Sequence, residues 1–193
     1  MTTRSPGRPR NEEARRSILR AVVRLIETDG YGAVTMEGLA RAAGVSKQTL
    51  YRWWSGKAEI VLEALNEGAA ALAPAKHSGP MEADLRTFVR QSVAGAKANA
   101  GLLAGLMAEA QVDDAFAPSF REEFLARRRA VLRDLLESAR GRDELSDGTD
   151  IDFLAEIVFA TLWYRLLGTH APLDRRFADE LTDAVLALAR SAR

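Results

Sequence analysis

The tetrapeptide Ala43–Gly44–Val45–Ser46 sits between two short runs of helical periodicity and dictates how they meet. Glycine enters the left-handed backbone region without the steric cost that a Cβ imposes, so Gly44 lets the chain reverse within a few residues. Val45 can plug the corner so formed, and the Ser46 hydroxyl can cap the next helix. Three short helices, the second and third joined in this way, match a helix-turn-helix. The stretch after the glycine adds a second constraint. Tryptophan is costly to leave in water and a cation is costly to bury alone, yet Gly44–Lys57 holds Trp53 and Trp54 beside Lys47, Arg52 and Lys57. At ~100° per residue, Lys47, Gln48, Tyr51 and Arg52 share one face, while Leu50 and Trp53 lie opposite. Trp54 is expected mainly in the core. One face packs inward; the other is short, polar and basic and suits a DNA groove. Taken singly these residues have plainer roles, as a helix stop, solvated charges and core aromatics. Their order favours the joint reading.

The rest of the chain is helical in pattern. Asn11, followed by Glu12 and Glu13, is a plausible N-cap for a helix carrying Ile18, Val22, Leu25 and Ile26, which stops at Asp29–Gly30. A second helix follows Thr35, a third runs from Ser46 to about Trp54, and a fourth begins near Lys57 and reaches about Leu72. The segment 73–80, with its prolines and glycine, reads as a loop. Helices are expected over 82–98, 100–111, 118–140, 151–168 and 174–190. No run of alternating β-branched and aromatic residues reads as a strand, so the expected fold class is all-α.

Charge divides along the chain. Residues 1–57 hold eleven Lys and Arg against five Asp and Glu, and residues 58–193 hold sixteen against twenty-two, so a net charge of zero conceals a basic head and an acidic body. Such a head is expected to meet a polyanion. Arg4, Arg8 and Arg10, set among Pro6, Gly7 and Pro9, form a basic arm with little capacity to fold. It is either an ordinary disordered terminus or an element that enters a narrow minor groove. The absence of cysteine excludes disulfides, thiolate metal sites and cysteine nucleophiles. The start has no apolar stretch behind its positive charge, and no uncharged run approaches the ~20 residues of a membrane helix. A cytoplasmic protein without membrane contact is expected.

The region Ile18–Leu65 resembles the DNA-binding domain of the tetracycline repressor (TetR) family. The residues that carry the resemblance are Gly30–Tyr31–Gly32, Thr35–Met36–Glu37–Gly38–Leu39–Ala40, Ala43 through Tyr51, and Lys57–Ala58–Glu59. Trp53–Trp54 and Gln48 depart from the family's commoner residues there. The resemblance implies a homodimer that places its third helices in successive major grooves of an operator. By position, Thr35, Tyr51 and Lys57 would hold phosphates, while Lys47, Gln48 and Thr49 would face base edges. Ser46 and Arg52, with Arg8 and Arg10 of the arm, complete the candidate DNA-binding set. The implied organisation is a basic arm over 1–10, a helix-turn-helix domain over 11–56, and a helical ligand-binding and dimerisation domain over 57–193. The fourth helix would then be the lever that joins head to body.

The acidic body shows no enzyme constellation. His77 and His170 have no acidic cluster at metal spacing beside them, and Asp113–Asp114 and Asp147–Gly148–Thr149–Asp150 read as helix-start or loop acids. No metal or cofactor is expected. Aromatic residues recur instead at helical spacing, most of them in the core by default. Two uses compete for the excess: a cavity for a small, mostly apolar effector, lined by some of Phe88, Met107, Phe120, Phe124, Phe159 and Trp163, or pairing of the last two helices with a second copy. The resemblance implies both. The expected function is a repressor released from a palindromic operator by its ligand. The alternatives are a constitutive DNA-binding protein without a ligand, and an all-α enzyme with a DNA-targeting head.

Overall fold

The computed structural model describes residues 8–70 and 79–191. Its elements are α1 (Arg8–Asp29), a 3-10 turn (Tyr31–Ala33), α2 (Met36–Ala43), α3 (Lys47–Tyr51), α4 (Lys57–Ala70), α5 (Met81–Ala98), α6 (Ala100–Val112), α7 (Ala117–Ser119), a π-helical segment (Phe120–Ala126), α8 (Arg127–Arg140), α9 (Ile151–Gly168) and α10 (Arg175–Ser191). No strand occurs among the described residues.

The elements depart from expectation in three places. Helix α1 begins at Arg8 and not at Asn11, so residues 8–10 of the expected arm are helical; residues 1–7, and most of the expected loop at 73–80, lie outside the described residues. Helix α3 ends at Tyr51 and not at Trp54. The Leu50 carbonyl accepts from both Trp53 N–H (2.9 Å) and Trp54 N–H (3.0 Å), which tightens the last turn and ends the helix. The helix expected over 118–140 contains the π-helical segment, where the hydrogen bonding widens locally.

By their contacts the described residues divide into two units. One comprises α1 to α4 and Gly105–Ala117; the other comprises α5, the start of α6, and the chain from Pro118 onward. Helix α4 thus belongs with the head, against α1, although it opens the C-terminal domain in the sequence-based division.

In the first unit, Ile18, Val22, Leu39, Leu50, Ile60 and Val61 are fully buried, one apolar stripe from each helix meeting at a common centre. Gly30 ends α1 at φ 81°, with its N–H on the Ile26 carbonyl (2.9 Å). Arg15 on α1 bridges Glu63 and Glu67 of α4. The turn at Tyr31 receives Gly105 of α6: a Cβ on that glycine would overlap the Tyr31 ring. One turn along α6, Glu109 accepts from the Tyr31 hydroxyl (3.2 Å). Burial, with Glu109 alongside, pushes the Tyr31 phenol well above its ordinary pKa.

In the second unit, α5 packs against α8, α9 and α10, and α8 against α9, around Leu85, Val89, Leu132, Leu135, Leu136, Val158 and Val185. Asp150 caps α9 by accepting from Phe153 N–H (3.0 Å), and Asp174 caps α10 by accepting from Phe177 N–H (2.9 Å). In the first unit, Asp113 likewise accepts from Ala115 and Phe116 N–H before α7. The loop acids at Asp113 and Asp150 are therefore helix-start acids, as their positions suggest. Among the described residues no helix is long and apolar enough to cross a membrane, and no group of three or more His, Cys, Asp or Glu is placed to hold a metal ion.

Candidate nucleic-acid interface

Gly44 lies in the left-handed region, at φ 69° and ψ 32°. Its N–H donates to the Arg41 carbonyl (3.2 Å), and Val45 N–H donates to the Ala40 carbonyl (3.0 Å). This is the Schellman pairing, which satisfies two end carbonyls of α2 while turning the chain. Ser46 then caps α3, its hydroxyl accepting from Thr49 N–H (3.2 Å). Upstream, the Thr35 hydroxyl caps α2 by accepting from Gly38 N–H (3.0 Å). A hydroxyl that accepts one bond still carries its own hydrogen, so the exposed Thr35 can cap a helix and donate to a phosphate at once.

The reversal leaves Ser46, Lys47, Gln48, Tyr51 and Arg52 exposed. Thr49 is half-buried, and its hydroxyl is hydrogen-bonded to that of Ser46 (2.9 Å), which ties it into the cap. Lys47 donates to the Glu37 carboxylate on α2. That hydrogen bond raises the Lys47 pKa and lowers that of Glu37. The Arg52 guanidinium sits 5.2 Å from the Trp53 ring centroid, a cation–π arrangement that extends it along the surface.

Trp53 and Trp54 meet edge to face at 5.4 Å and divide the inward work. Trp54 is 5% exposed and donates its indole N–H to Glu63 (2.5 Å), the carboxylate also held by Arg15. Trp53 is half-buried beneath Arg52. Glu59 closes the turn into α4, accepting from Ser55 N–H (2.7 Å) and from its hydroxyl (2.5 Å). At the first position of α4, Lys57 is half-buried. Its ammonium donates to the Tyr31 carbonyl (3.1 Å) and lies 4.4 Å from the Tyr31 ring centroid.

The structure thus brings Thr35, Ser46, Lys47, Gln48, Tyr51 and Arg52 to an exposed polar edge, and Lys57 to the N-terminus of α4. The backbone of Arg8 and Arg10 is helical, and their side chains lie outside the described residues. Two neighbours went unassigned in the sequence. Glu37 reaches Lys47 across the turn, a separation of ten residues that no single-helix spacing connects. Tyr31 was visible only as part of a glycine-flanked turn. The candidate pocket residues divide as well. Phe120 stacks on Phe124 and meets Trp163 edge to face, and Phe88 meets Phe159, all in the second unit, whereas Met107 belongs to the first.

Residues 18–64 match the family described as bacterial regulatory proteins, tetR family, and residues 75–185 match the tetracyclin repressor-like C-terminal domain. The chain is 30% identical over 176 residues to the uncharacterized HTH-type transcriptional regulator YdeS of Bacillus subtilis (strain 168), covering 91% of this chain and 89% of that one. It is 29% identical over 182 residues to the DNA-binding transcriptional repressor TetR of Mycobacteroides abscessus, covering 92% and 94%. Among solved structures, the TetR family transcription regulator SCO0332 superposes with a TM-score of 0.72 at 28% identity, covering 91% of this chain and 97% of that one.

Proposed function

Because this chain belongs to the TetR family of bacterial regulatory proteins, we propose that it is a repressor that grips a palindromic operator as a homodimer in the cytoplasm and leaves it on taking up a small, mostly apolar ligand. It is a DNA-binding transcriptional regulator and not an enzyme. The observation that carries the operator reading is the exposed edge formed by Thr35, Lys47, Gln48 and Tyr51 around the Gly44 reversal. Its hydroxyls and Lys57 suit phosphates, and Lys47 and Gln48 suit the acceptors of guanine and the N6/N7 pair of adenine.

Pairing is supported by an apolar stripe on α9. Phe153, Ile157, Ala160, Tyr164 and Leu167 alternate four and three residues apart, the spacing of a coiled-coil seam. Phe153, Tyr164 and Leu167 are 56%, 68% and 47% exposed in the single chain, and Leu188 on α10 is 43% exposed. A symmetric pair would cover these side chains and set two reading helices one turn of DNA apart, ~34–36 Å, or a multiple of it. A ligand that favours a differently spaced pair would weaken DNA binding by the difference in its affinity for the two states.

The test is to select bound fragments from genomic DNA and titrate the purified chain on the palindromes recovered. Two copies per palindrome, with Tyr164→Arg yielding monomers of weakened affinity, are expected. A monomer in sedimentation that ignores palindromic duplexes in dilute buffer overturns the proposal.

A further inference from the structure

The arginines Arg127, Arg128 and Arg129 follow the π-helical segment in direct succession and have different surroundings. Arg127 and Arg129 are exposed, and Arg129 lies 3.9 Å from Asp152. Arg128 turns inward. Its guanidinium lies 5.7 Å from the Phe124 ring centroid and 3.9 Å from where a Cβ on Gly95 of α5 would stand. Among the described residues it has no carboxylate partner and no hydrogen bond. Burial lowers its pKa, and nothing charged offsets that effect.

Its neighbours are a packed aromatic run, in which Phe120 and Phe124 are buried. Phe124 stacks on Phe120 at 5.7 Å with an interplanar angle of 7°, and Phe120 meets Trp163 edge to face at 6.3 Å. The π-helical turn carries both phenylalanines, and such turns recur at functional sites because they re-aim side chains within a helix. Trp163, one turn beyond Phe159 on α9, is half-buried, as are Phe159 and its partner Phe88 on α5. A cation withdrawn from water without an anion is unfavourable, and a ligand carboxylate accepting its paired N–H groups would remove that cost.

Resting on the reading that the C-terminal unit takes up an effector, we propose that Arg128 is the anion anchor of that site and that the effector is an apolar carboxylic acid, its carboxylate on Arg128 and its hydrocarbon frame along Phe124, Phe120 and Trp163. This sharpens a mostly apolar ligand into an amphipathic anion.

The proposal is tested with matched pairs that differ in charge and share a frame, decanoate against decanamide and 2-naphthoate against 2-naphthamide, titrated calorimetrically into the full-length chain. The acid of at least one pair should bind about tenfold or more tighter than its amide. Arg128→Met should erase that preference while leaving amide affinity in place, and Arg128→Lys should keep part of it. Equal affinity for acid and amide in the wild type, a preference that survives in Arg128→Met, or no binding of either pair overturns the assignment. Should Arg128→Met not fold, the wild-type pairs and Arg128→Lys still decide. Operator occupancy is followed separately: Arg128-dependent binding of an acid with unchanged DNA affinity would uphold this site and overturn the ligand-released repressor.

Discussion

Lys47 on α3 is ion-paired with Glu37 on α2, so a side chain suited to DNA is held by a carboxylate of its own chain. A duplex that engaged Lys47 would have to compete with Glu37 for that cation. Glu37→Gln removes the competitor and one negative charge from the edge, and should tighten DNA binding by roughly threefold to tenfold at low salt, with the gain shrinking as salt rises. Fluorescence anisotropy across a salt series checks this. Unchanged affinity would mean that Lys47 does not touch the duplex.

The same pair has a pH signature. The hydrogen bond from Lys47 holds the Glu37 carboxyl below its ordinary value of 4.5. A depressed folded-state pKa makes the pair's contribution fully present above the unfolded value and lost as pH falls through the folded one. The pair should therefore be constant between pH 8 and pH 6 and fail only in acid. A carboxyl NMR titration of Glu37 should give a midpoint below 4.5 that returns toward it in Lys47→Ala.

Lys57 and Gln48 should separate affinity from specificity. Lys57→Ala is expected to weaken all sequences alike and to reduce the salt slope by about 1. Gln48→Ala should flatten preference at one base pair, at a cost of about 1–3 kcal/mol for the preferred base. Titration of both variants on an operator and its point variants decides; matching profiles would refute the division.

At Gly44 a Cβ would meet nothing within 4 Å, so any cost of substitution is a backbone cost. Gly44→Ala should destabilise the head by about 1–2 kcal/mol, and Gly44→Asn by less, because asparagine tolerates the left-handed region. Denaturant melts of the two variants measure the order, which clashes alone would not produce.

Trp54 combines a buried ring with a hydrogen bond to Glu63. Trp54→Phe keeps most of the packing and loses the donor, for about 1–2 kcal/mol. Trp54→Ala loses both and should cost about 3–5 kcal/mol. Equal losses in thermal or denaturant melts would mean that the hydrogen bond, and not the ring, carries the contribution.

The helix pattern was legible because it depends on local periodicity. The segments expected at 82–98, 100–111, 151–168 and 174–190 match α5, α6, α9 and α10 to within a residue at either end. Gly44, Ser46 and Thr35 were legible for a related reason: left-handed turns and caps select residue types within a few positions. The π-helical turn at Phe120–Ala126 was not legible. It shifts hydrogen bonding by one residue inside a stretch whose apolar spacing still reads as α-helix.

The residues themselves determined an all-helical chain, a glycine-centred reversal and a basic head, since steric freedom, periodicity and charge are properties of short stretches. Only the tertiary structure decided that Glu37 meets Lys47, that Tyr31 accepts from Lys57 and donates to Glu109, and that Arg128 turns inward between exposed arginines. The reason is physical. Which of three identical neighbouring side chains loses its water depends on what packs against it from distant parts of the chain, and no local pattern records that.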